Sequence, residues 1–238
     1  MHTAFVTGAD RGLGLELTRG LLERGWRVIA GRYLENWHEL TELAGRHEGR
    51  AVVVPLDIGS DRSVRDAANL AGASADAIDL VIHNAAVSTS LKDLTIAGGL
   101  NYEDMIRIYN INAIGMLRVT EALLYLTDAG TMKRQCIVSS EAGSIERCSR
   151  EAWYGYCMSK AALNMGAVRL HENLHADGYT FRLLHPGWMK TYMSGSKNEE
   201  AELEADVVAE AALRYFIGPG EEDHRLVMKD WAGGEWPW

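Results

Sequence analysis

A tyrosine and a lysine four residues apart, Tyr156 and Lys160, form the pair in this chain that is best suited to acid–base chemistry. Residues at i and i+4 of a helix lie one turn apart on the same face, so the phenol and the ammonium would point the same way. A tyrosine whose phenolate is stabilised by a neighbouring cation can transfer a proton at neutral pH. Tyr154 offers no such pairing, because its i+4 residue is Met158. The pair predicts a proton-transfer centre at Tyr156.

Two further polar side chains are candidates for the same centre. Ser140 ends an apolar run that begins at Ile137, and its hydroxyl would donate a hydrogen bond to a substrate carbonyl oxygen. Ser144, nearer to the tyrosine in sequence, is the competing candidate. Asn112 lies in an apolar helical stretch, where an unpaired amide would be costly. We expect it either to cap a helical kink or to hold a water that connects to Lys160.

A glycine-rich turn near the start of the chain predicts a nucleotide site. It follows the first apolar strand and opens the first helix. Glycines let the backbone turn tightly and let a pyrophosphate reach a helix N-terminus, whose amides and dipole favour an anion. The turn lacks the Lys-Ser/Thr of an ATP-binding loop, which favours a dinucleotide. The expected contact residues of this turn are Gly8, Asp10, Arg11, Gly12, Leu13 and Gly14.

The end of the second strand indicates which dinucleotide is bound. A carboxylate at that place would bind an unphosphorylated ribose, whereas an arginine can pair with a 2′-phosphate. The chain has Arg32 there and no acid, and Arg11 could reach the same phosphate. NADP(H) is therefore the predicted cofactor, with NAD(H) as the second choice.

Further cofactor contacts are expected where later strands end. Asp57 is placed to accept a hydrogen bond from the adenine amino group, although it is also a candidate to start the following helix. Pro186 and Gly187 would shape a turn around the nicotinamide, and Thr191 could bind the carboxamide. The remaining expected contacts are Ile58, Asn84, Ala85 and Ala86, beside Tyr156 and Lys160 themselves.

Short segments rich in Val, Ile and Leu alternate with helical patterns along the chain. The predicted strands are Thr3–Thr7, Arg27–Ala30, Ala51–Leu56, Leu80–His83, Gln135–Ser139, Phe181–His185 and Arg225–Val227. The predicted helices are about 13–24, 37–46, 63–73, 102–127, 155–176 and 205–216. Apolar strands that alternate with helices imply a parallel sheet covered on both faces. We see no linker, so one doubly wound α/β domain is expected over residues 1–238.

The composition excludes several classes of function. The 238 residues carry a net charge of −9, which argues against a surface for nucleic acid or anionic membrane. No apolar run approaches the ~20 residues of a membrane span, and the first strand begins too early for a signal peptide. Cys136, Cys148 and Cys157 show no metal-ligand spacing. We expect free thiols, no metal and a cytoplasmic location.

The order of these motifs resembles the short-chain dehydrogenase/reductase family over the whole length of the chain. The matching elements are the Gly8, Gly12 and Gly14 turn, Asn84-Ala85, Asn112, Ser140, Tyr156, Lys160 and Pro186-Gly187. The segment His185–Thr191 is similar to the carbonyl-reductase-like branch. The resemblance implies a single-domain Rossmann fold with about seven parallel strands. It also implies an oxidoreductase that uses NADP(H) to reduce an aldehyde or ketone, or to oxidise the alcohol.

The family's mechanism gives each matching side chain an expected role. The nicotinamide C4 would deliver a hydride to the carbonyl carbon while Tyr156 protonates its oxygen. Lys160 would lower the pKa of Tyr156 and hold the ribose hydroxyls. Ser140 would orient the carbonyl, and Asn112 would complete a proton relay. A homodimer or homotetramer through helices about 102–127 and 155–176 is implied, as is a substrate loop at about 188–204.

The chain also departs from the family pattern. His83 and Ala86 replace the usual residues around Asn84, and the spacing from Ser140 to Tyr156 is longer than usual. We expect the additional residues in segment 141–150 to line the substrate pocket. Other pocket candidates are Glu141, Tyr154, Trp188 and Tyr192.

Two other functions are consistent with the same motifs. One is a regulatory protein that senses NADP(H) and catalyses nothing. The other is an epimerase or dehydratase with tightly held NAD, although the chain is short for the added substrate domain that such chemistry usually needs. The sequence does not identify the substrate beyond a small carbonyl compound or alcohol.

Overall fold

The apolar segments form the centre of the protein. The computed structural model describes residues 1–88, 94–193, 197–220, 223 and 225–238. The strands are β1 (Thr3–Val6), β2 (Arg27–Arg32), β3 (Ala51–Pro55), β4 (Leu80–His83), β5 (Arg134–Val138), β6 (Thr180–His185), β7 (Met228–Asp230) and β8 (Glu235–Trp236). The helices are α1 (Gly12–Glu23), α2 (Glu39–Arg46), α3 (Asp61–Ser74), α4 (Tyr102–Tyr109), α5 (Gly115–Asp128), α6 (Tyr154–Leu174) and α7 (Ala205–Ile217).

The strands form one sheet in the order β3-β2-β1-β4-β5-β6-β7-β8. Strands β1 to β7 pair in parallel, and β8 is antiparallel to β7. The predicted single-domain, doubly wound α/β fold is therefore confirmed, with an eighth strand in addition. The strand order reverses between β1 and β4, which is where ligands bind in open sheets of this kind.

Helices cover both faces of the sheet. Successive side chains of β1 point in opposite directions: Ala4 and Val6 pack in a cluster with α1, α2 and α7, whereas Phe5 packs in a cluster with α3 and α5. A third cluster joins α6 to β5 and β6 through Leu163 and Phe181. The two layers of helix hold the carboxyl ends of the central strands in fixed positions.

The predicted long helix at 102–127 is helical throughout, but its middle differs in type from the α-helices on either side. Residues Asn110–Ile114 form a π-helical segment between α4 and α5. Asn112 lies within it and is buried; its Oδ1 accepts a hydrogen bond from the main-chain nitrogen of Val87 at 2.8 Å, and its Nδ2 donates to the Val87 oxygen at 2.9 Å. Pairing with a distant segment decides the local geometry here. Such π-bulges are frequent at functional sites.

The seventh strand lies three residues beyond the prediction of Arg225–Val227. Met228 is fully buried and pairs with Leu183 of β6, whereas Arg225 forms an exposed ion pair with Glu235. The apolar residues before Met228 suggested the strand. The register is set by which side chain reaches the core.

Membrane spans, metal clusters and thiols can be assessed for the described ranges. Within them, no helix is long and apolar enough to cross a bilayer. The same ranges contain no group of three or more His, Cys, Asp or Glu side chains that could hold a metal ion. Cys136, Cys148 and Cys157 are free thiols.

The helices implied as the subunit interface expose large apolar side chains. Ile106 on α4 is 70% exposed and Met165 on α6 is 59% exposed. We predict that the protein sediments as a homodimer or homotetramer and that Ile106→Glu shifts the mass towards the monomer, because a charge would be buried at the contact. Leu70→Glu, at an exposed apolar position on α3, is the control and should leave the mass unchanged. A monomeric parent protein in analytical ultracentrifugation would contradict this prediction.

Candidate active site

The carboxyl ends of the central strands open into one cleft with a volume of about 1210 Å³. Pockets for a single small ligand are usually ~300–1,000 Å³, so this cleft has room for a dinucleotide and a second molecule. Most of the predicted site residues line it, namely Gly8, Asp10, Arg11, Gly12, Leu13, Gly14, Asp57, Ile58, Asn84, Ala85, Ala86, Ser140, Tyr156, Lys160, Pro186, Gly187 and Thr191. Arg32 and Asn112 lie behind the lining. Of the pocket candidates, Glu141, Trp188 and Tyr192 line the cleft, and Tyr154 does not.

The glycine turn forms a cradle that larger residues could not form. Gly8 and Gly12 have φ values of +64° and +55°, a region that L side chains rarely adopt. A Cβ on Gly14 would lie 2.0 Å from the carbonyl oxygen of Gly8 and 2.5 Å from Nδ2 of Asn84. Glycine is therefore needed at Gly8 and Gly14 for the turn to pack against the end of β4. This geometry fits the close approach of a pyrophosphate to a helix N-terminus.

Two carboxylates organise the loops at the end of the cleft near β2 and β3. Oδ1 of Asp10 accepts hydrogen bonds from the amides of Tyr33 and Leu34 at 2.8 and 3.3 Å, and burial raises the pKa of Asp10 above its ordinary value. Oδ1 of Asp57 accepts from the Gly59 amide at 2.8 Å. Ser60, and not Asp57, provides the N-cap of α3. Asp57 is thus placed along the cleft rather than at a helix start.

The two arginines proposed for the 2′-phosphate differ in their surroundings. Arg11 lines the cleft, donates from Nη2 to the oxygen of Tyr192 at 3.0 Å, and lies 5.0 Å from the ring of Trp37. Arg32 is the last residue of β2, and its Nη1 donates to Oγ1 of Thr41 at 3.3 Å. Nε of Arg32 is buried without a hydrogen-bond partner. Arg11 lines the cleft, and Arg32 is not among the lining residues.

Tyr156 and Lys160 lie on the buried face of α6, as their spacing predicts. Nζ of Lys160 donates to the carbonyl oxygen of Val138 at 3.0 Å and lies 5.9 Å from the Tyr156 ring. Burial lowers the pKa of Lys160 to about 8 and raises the pKa of Tyr156 to about 12. A hydrogen bond with Ser140 and the charge of Arg150 act in the opposite direction on Tyr156. The structure thus pairs a proton donor with a lysine, but burial raises the pKa of Tyr156, whereas Lys160 was expected to lower it.

Ser140 occupies the position expected of a carbonyl-orienting group. Its Oγ donates to Oε2 of Glu141 at 2.6 Å and accepts from the Ala142 amide at 3.1 Å. Ser144, the competing candidate, donates to the carbonyl oxygen of Trp238 and lies outside the cleft lining. The geometry therefore favours Ser140.

Asn112 fits the first of its two expected roles, because its amide stabilises the π-helical kink. Its Nδ2 also donates to Oγ of Ser159 at 3.0 Å, and that hydroxyl donates to the carbonyl oxygen of Tyr156 at 2.8 Å. The network joins the kink, the Val87 segment and α6 directly under the tyrosine. The water link to Lys160 stays a prediction.

Sequence reasoning missed Trp153 and His185, which line the cleft beside Tyr156 and Glu141. Arg150, the last residue of the segment 141–150 that was expected to line the pocket, lines it as well. The Trp153 ring lies 5.8 Å from the Tyr156 ring, and the Arg150 guanidinium stacks 4.6 Å from the centre of Trp153. Trp153 directly precedes the helix that carries Tyr156, and His185 ends the strand before Pro186. Their closeness in sequence to predicted site residues could have identified both as candidates.

Comparisons with known proteins agree with this geometry. The model of the short chain dehydrogenase family matches residues 2–202. C-signal of Myxococcus xanthus is 38% identical over 161 residues, which cover 68% of this chain and 93% of that protein. The 1-hydroxy-2-glutathionyl-2-methyl-3-butene dehydrogenase of Rhodococcus sp. (strain AD45) is 34% identical over 191 residues, or 80% of this chain and 79% of that protein. The structure of an NADPH bound carbonyl reductase from chicken fatty liver matches with a TM-score of 0.88 and 27% identity, covering 100% of this chain and 99% of that one. The chain therefore belongs to the short chain dehydrogenase family.

Proposed function

We propose that this protein is an NADP(H)-dependent oxidoreductase that reduces an aldehyde or ketone to the alcohol, or catalyses the reverse reaction. The observation that carries the proposal is the placement of Tyr156, Lys160 and Ser140 in a cleft that is continuous with the glycine cradle. The NADPH-bound carbonyl reductase from chicken and the Rhodococcus dehydrogenase support it.

Each part of the cleft has a task in this reaction. The bound nicotinamide would exchange the hydride with the carbonyl carbon. The glycine cradle would hold the pyrophosphate, and Lys160 would hold the ribose hydroxyls with the ammonium protons that face the cleft. Tyr156 would donate its proton to the carbonyl oxygen, and Lys160 would stabilise the phenolate that remains. Ser140 would share the carbonyl oxygen with Tyr156.

Two further sets of side chains would complete the site. Asn112 fixes Val87 and Ser159, and through them the start of α6, and a water held there would connect Lys160 to a proton relay. Arg11 and Arg32 would bind the 2′-phosphate that distinguishes NADP(H) from NAD(H).

The segment 188–204 would serve as the substrate loop. Its two ends are clamped together, because the Lys190 amide donates to the Leu203 oxygen at 2.9 Å and the Leu203 amide donates to the Trp188 oxygen at 3.3 Å. Trp188 and Met193 line the cleft above Tyr156. Residues 194–196 of this segment lie outside the described residues.

Titration with NADPH and NADH, followed by a panel of aldehydes and ketones, tests the function. We expect tighter binding of NADPH and turnover of some carbonyl compounds. Tyr156→Phe should lower kcat by about 10²–10⁴-fold, the usual contribution of general acid–base catalysis, and leave NADPH affinity unchanged. Tyr154→Phe, outside the lining, is the matched control. Binding without turnover of any compound would favour the NADP(H)-sensing alternative, and retained NAD after purification would favour the epimerase alternative.

The burial of Lys160 predicts a pH-dependent effect on stability. Its pKa falls from 10.5 to about 8 in the folded protein. Below pH 8 the fold contains a buried charge that the unfolded chain solvates, and this cost disappears as the pH rises towards 10.5, since only the unfolded chain then keeps the proton. The stability of Lys160→Met relative to the parent should therefore fall between about pH 8 and pH 10.5 in urea unfolding. Lys197→Met, at an exposed lysine, should show no such trend, and a parallel trend in both variants would contradict the assignment.

The role of Arg32 is tested by reversing its charge. Arg32→Asp should weaken NADPH binding by ~1–3 kcal/mol, because a charged hydrogen bond to the 2′-phosphate is lost, and should leave NADH binding unaffected or improved. Arg62→Asp places the same charge change at an exposed site on α3 and is the control. An unchanged NADPH affinity in Arg32→Asp would leave Arg11 as the phosphate ligand.

A further inference from the structure

A carboxylate stands beside the proposed catalytic groups on the substrate side of the cleft. Glu141 directly follows Ser140 and lines the cleft. Its Oε2 accepts the hydrogen bond from Oγ of Ser140 at 2.6 Å, and its Oε1 accepts from Nε of Arg150 at 3.1 Å and from Nη2 of the same guanidinium. The carboxylate is thus bound to the hydroxyl that the reaction would use.

This bond decides where the Ser140 proton points. A hydroxyl carries one proton, so a proton donated to Glu141 is not available to a substrate carbonyl oxygen. An ionised carboxylate is also a stronger acceptor than a carbonyl. A ketone without a hydroxyl offers only lone pairs. It would compete with Glu141 for the Ser140 proton, and it could not donate a hydrogen bond to the carboxylate in place of that proton.

Glu141 has acceptor capacity left for a substrate. A carboxylate offers about four lone-pair positions, and Ser140 and Arg150 fill three. The nearby Nδ1 of His185 is 3.6 Å from Oε2, but this nitrogen accepts from the Glu141 amide and so does not donate to the carboxylate. Burial tends to raise the pKa of Glu141, yet hydrogen bonds from Arg150 and Ser140 hold it below its ordinary value. The group is an ionised acceptor that is 29% exposed towards the cleft.

We infer that Glu141 selects carbonyl substrates with a hydroxyl on the adjacent carbon, that is, α-hydroxy ketones or aldehydes. In the reverse direction it selects vicinal diols. This inference rests on the proposed function. The substrate hydroxyl donates to Oε2 of Glu141. Oγ of Ser140 then turns its proton to the carbonyl oxygen beside Tyr156.

Distances and charge both favour this class. Oγ of Ser140 and Oε2 of Glu141 are 2.6 Å apart, and two syn oxygens on adjacent carbons are also about one hydrogen-bond length apart. The substrate can therefore meet both protein oxygens at once. A neutral hydroxyl suits the site better than an ammonium, because the guanidinium of Arg150 already neutralises the carboxylate and Lys160 adds a second cation nearby.

A matched pair of ketones isolates the hydrogen bond. The substrates are 3-hydroxybutan-2-one and 3-methoxybutan-2-one, which share an oxygen on the adjacent carbon and differ in the proton. With NADPH, the parent protein should show a kcat/KM ratio of at least about tenfold in favour of the hydroxy ketone, the lower end for a hydrogen bond to a charged group. In Glu141→Gln the ratio should fall towards one, because the charged acceptor for the substrate hydroxyl is lost.

Controls separate this inference from the proposed function. Glu146→Gln removes an exposed carboxylate of the same segment outside the lining and should keep the parent ratio. Thermal unfolding and NADPH titration verify that each variant is folded, and Glu141→Ala gives a second reading if the glutamine variant is unstable. A parent ratio near one, or the same high ratio in Glu141→Gln, would overturn the inference while turnover of other ketones upheld the reductase. Absence of turnover across the whole carbonyl panel would refute both.

Discussion

The site depends on the hydrogen bonds that connect the end of β4 to the glycine turn that follows β1. Nδ2 of Asn84 donates to the carbonyl oxygens of Thr7 and Gly8, and Oγ1 of Thr7 accepts from the amides of Asn84 and Ala85. These bonds use main-chain atoms on both sides, so the strand ends cannot separate without leaving buried polar groups unpaired. The close approach also excludes any side chain at Gly8 or Gly14. The cofactor cradle and the strands that lead to the catalytic groups consequently share one rigid frame.

This frame has to stabilise a buried ammonium group, that of Lys160. An ammonium that is 2% exposed loses most of its hydration, and its bond to the Val138 oxygen uses one of three protons. The fold keeps the remaining donors beside the cleft, where ligand oxygens can reach them. Tyr156 is subject to the same constraint, because burial raises its pKa and so favours the neutral phenol. Groups that are costly to bury are thereby held beside the cleft.

Local patterns predicted the features that depend on neighbours in sequence. Apolar runs gave the first six strands, glycines gave the cradle, and the i to i+4 spacing placed Tyr156 and Lys160 together on α6. The features that differ from the prediction depend on contacts between distant segments. The π-helical kink is stabilised when Asn112 meets Val87, and the position of β7 is decided when Met228 pairs with Leu183. No sequence pattern within either segment indicates which distant residue it contacts. The same reason explains Trp153, which reaches the cleft through the path of a loop.

The two ends of the cleft are therefore built on different principles. Main-chain atoms and glycines form the cofactor end, where a side chain would be an obstacle. Charged and aromatic side chains form the substrate end. Glu141 and Arg150 form an ion pair there, so their charges balance within the cleft. Under the proposed mechanism Ser140 would link recognition to reaction, because its single proton, now donated to Glu141, would turn to the carbonyl oxygen when a substrate hydroxyl binds the carboxylate. An enzyme in which recognition releases a catalytic proton favours the correct substrate in the transition state rather than only in binding. Specificity and rate would then change together at this one hydroxyl.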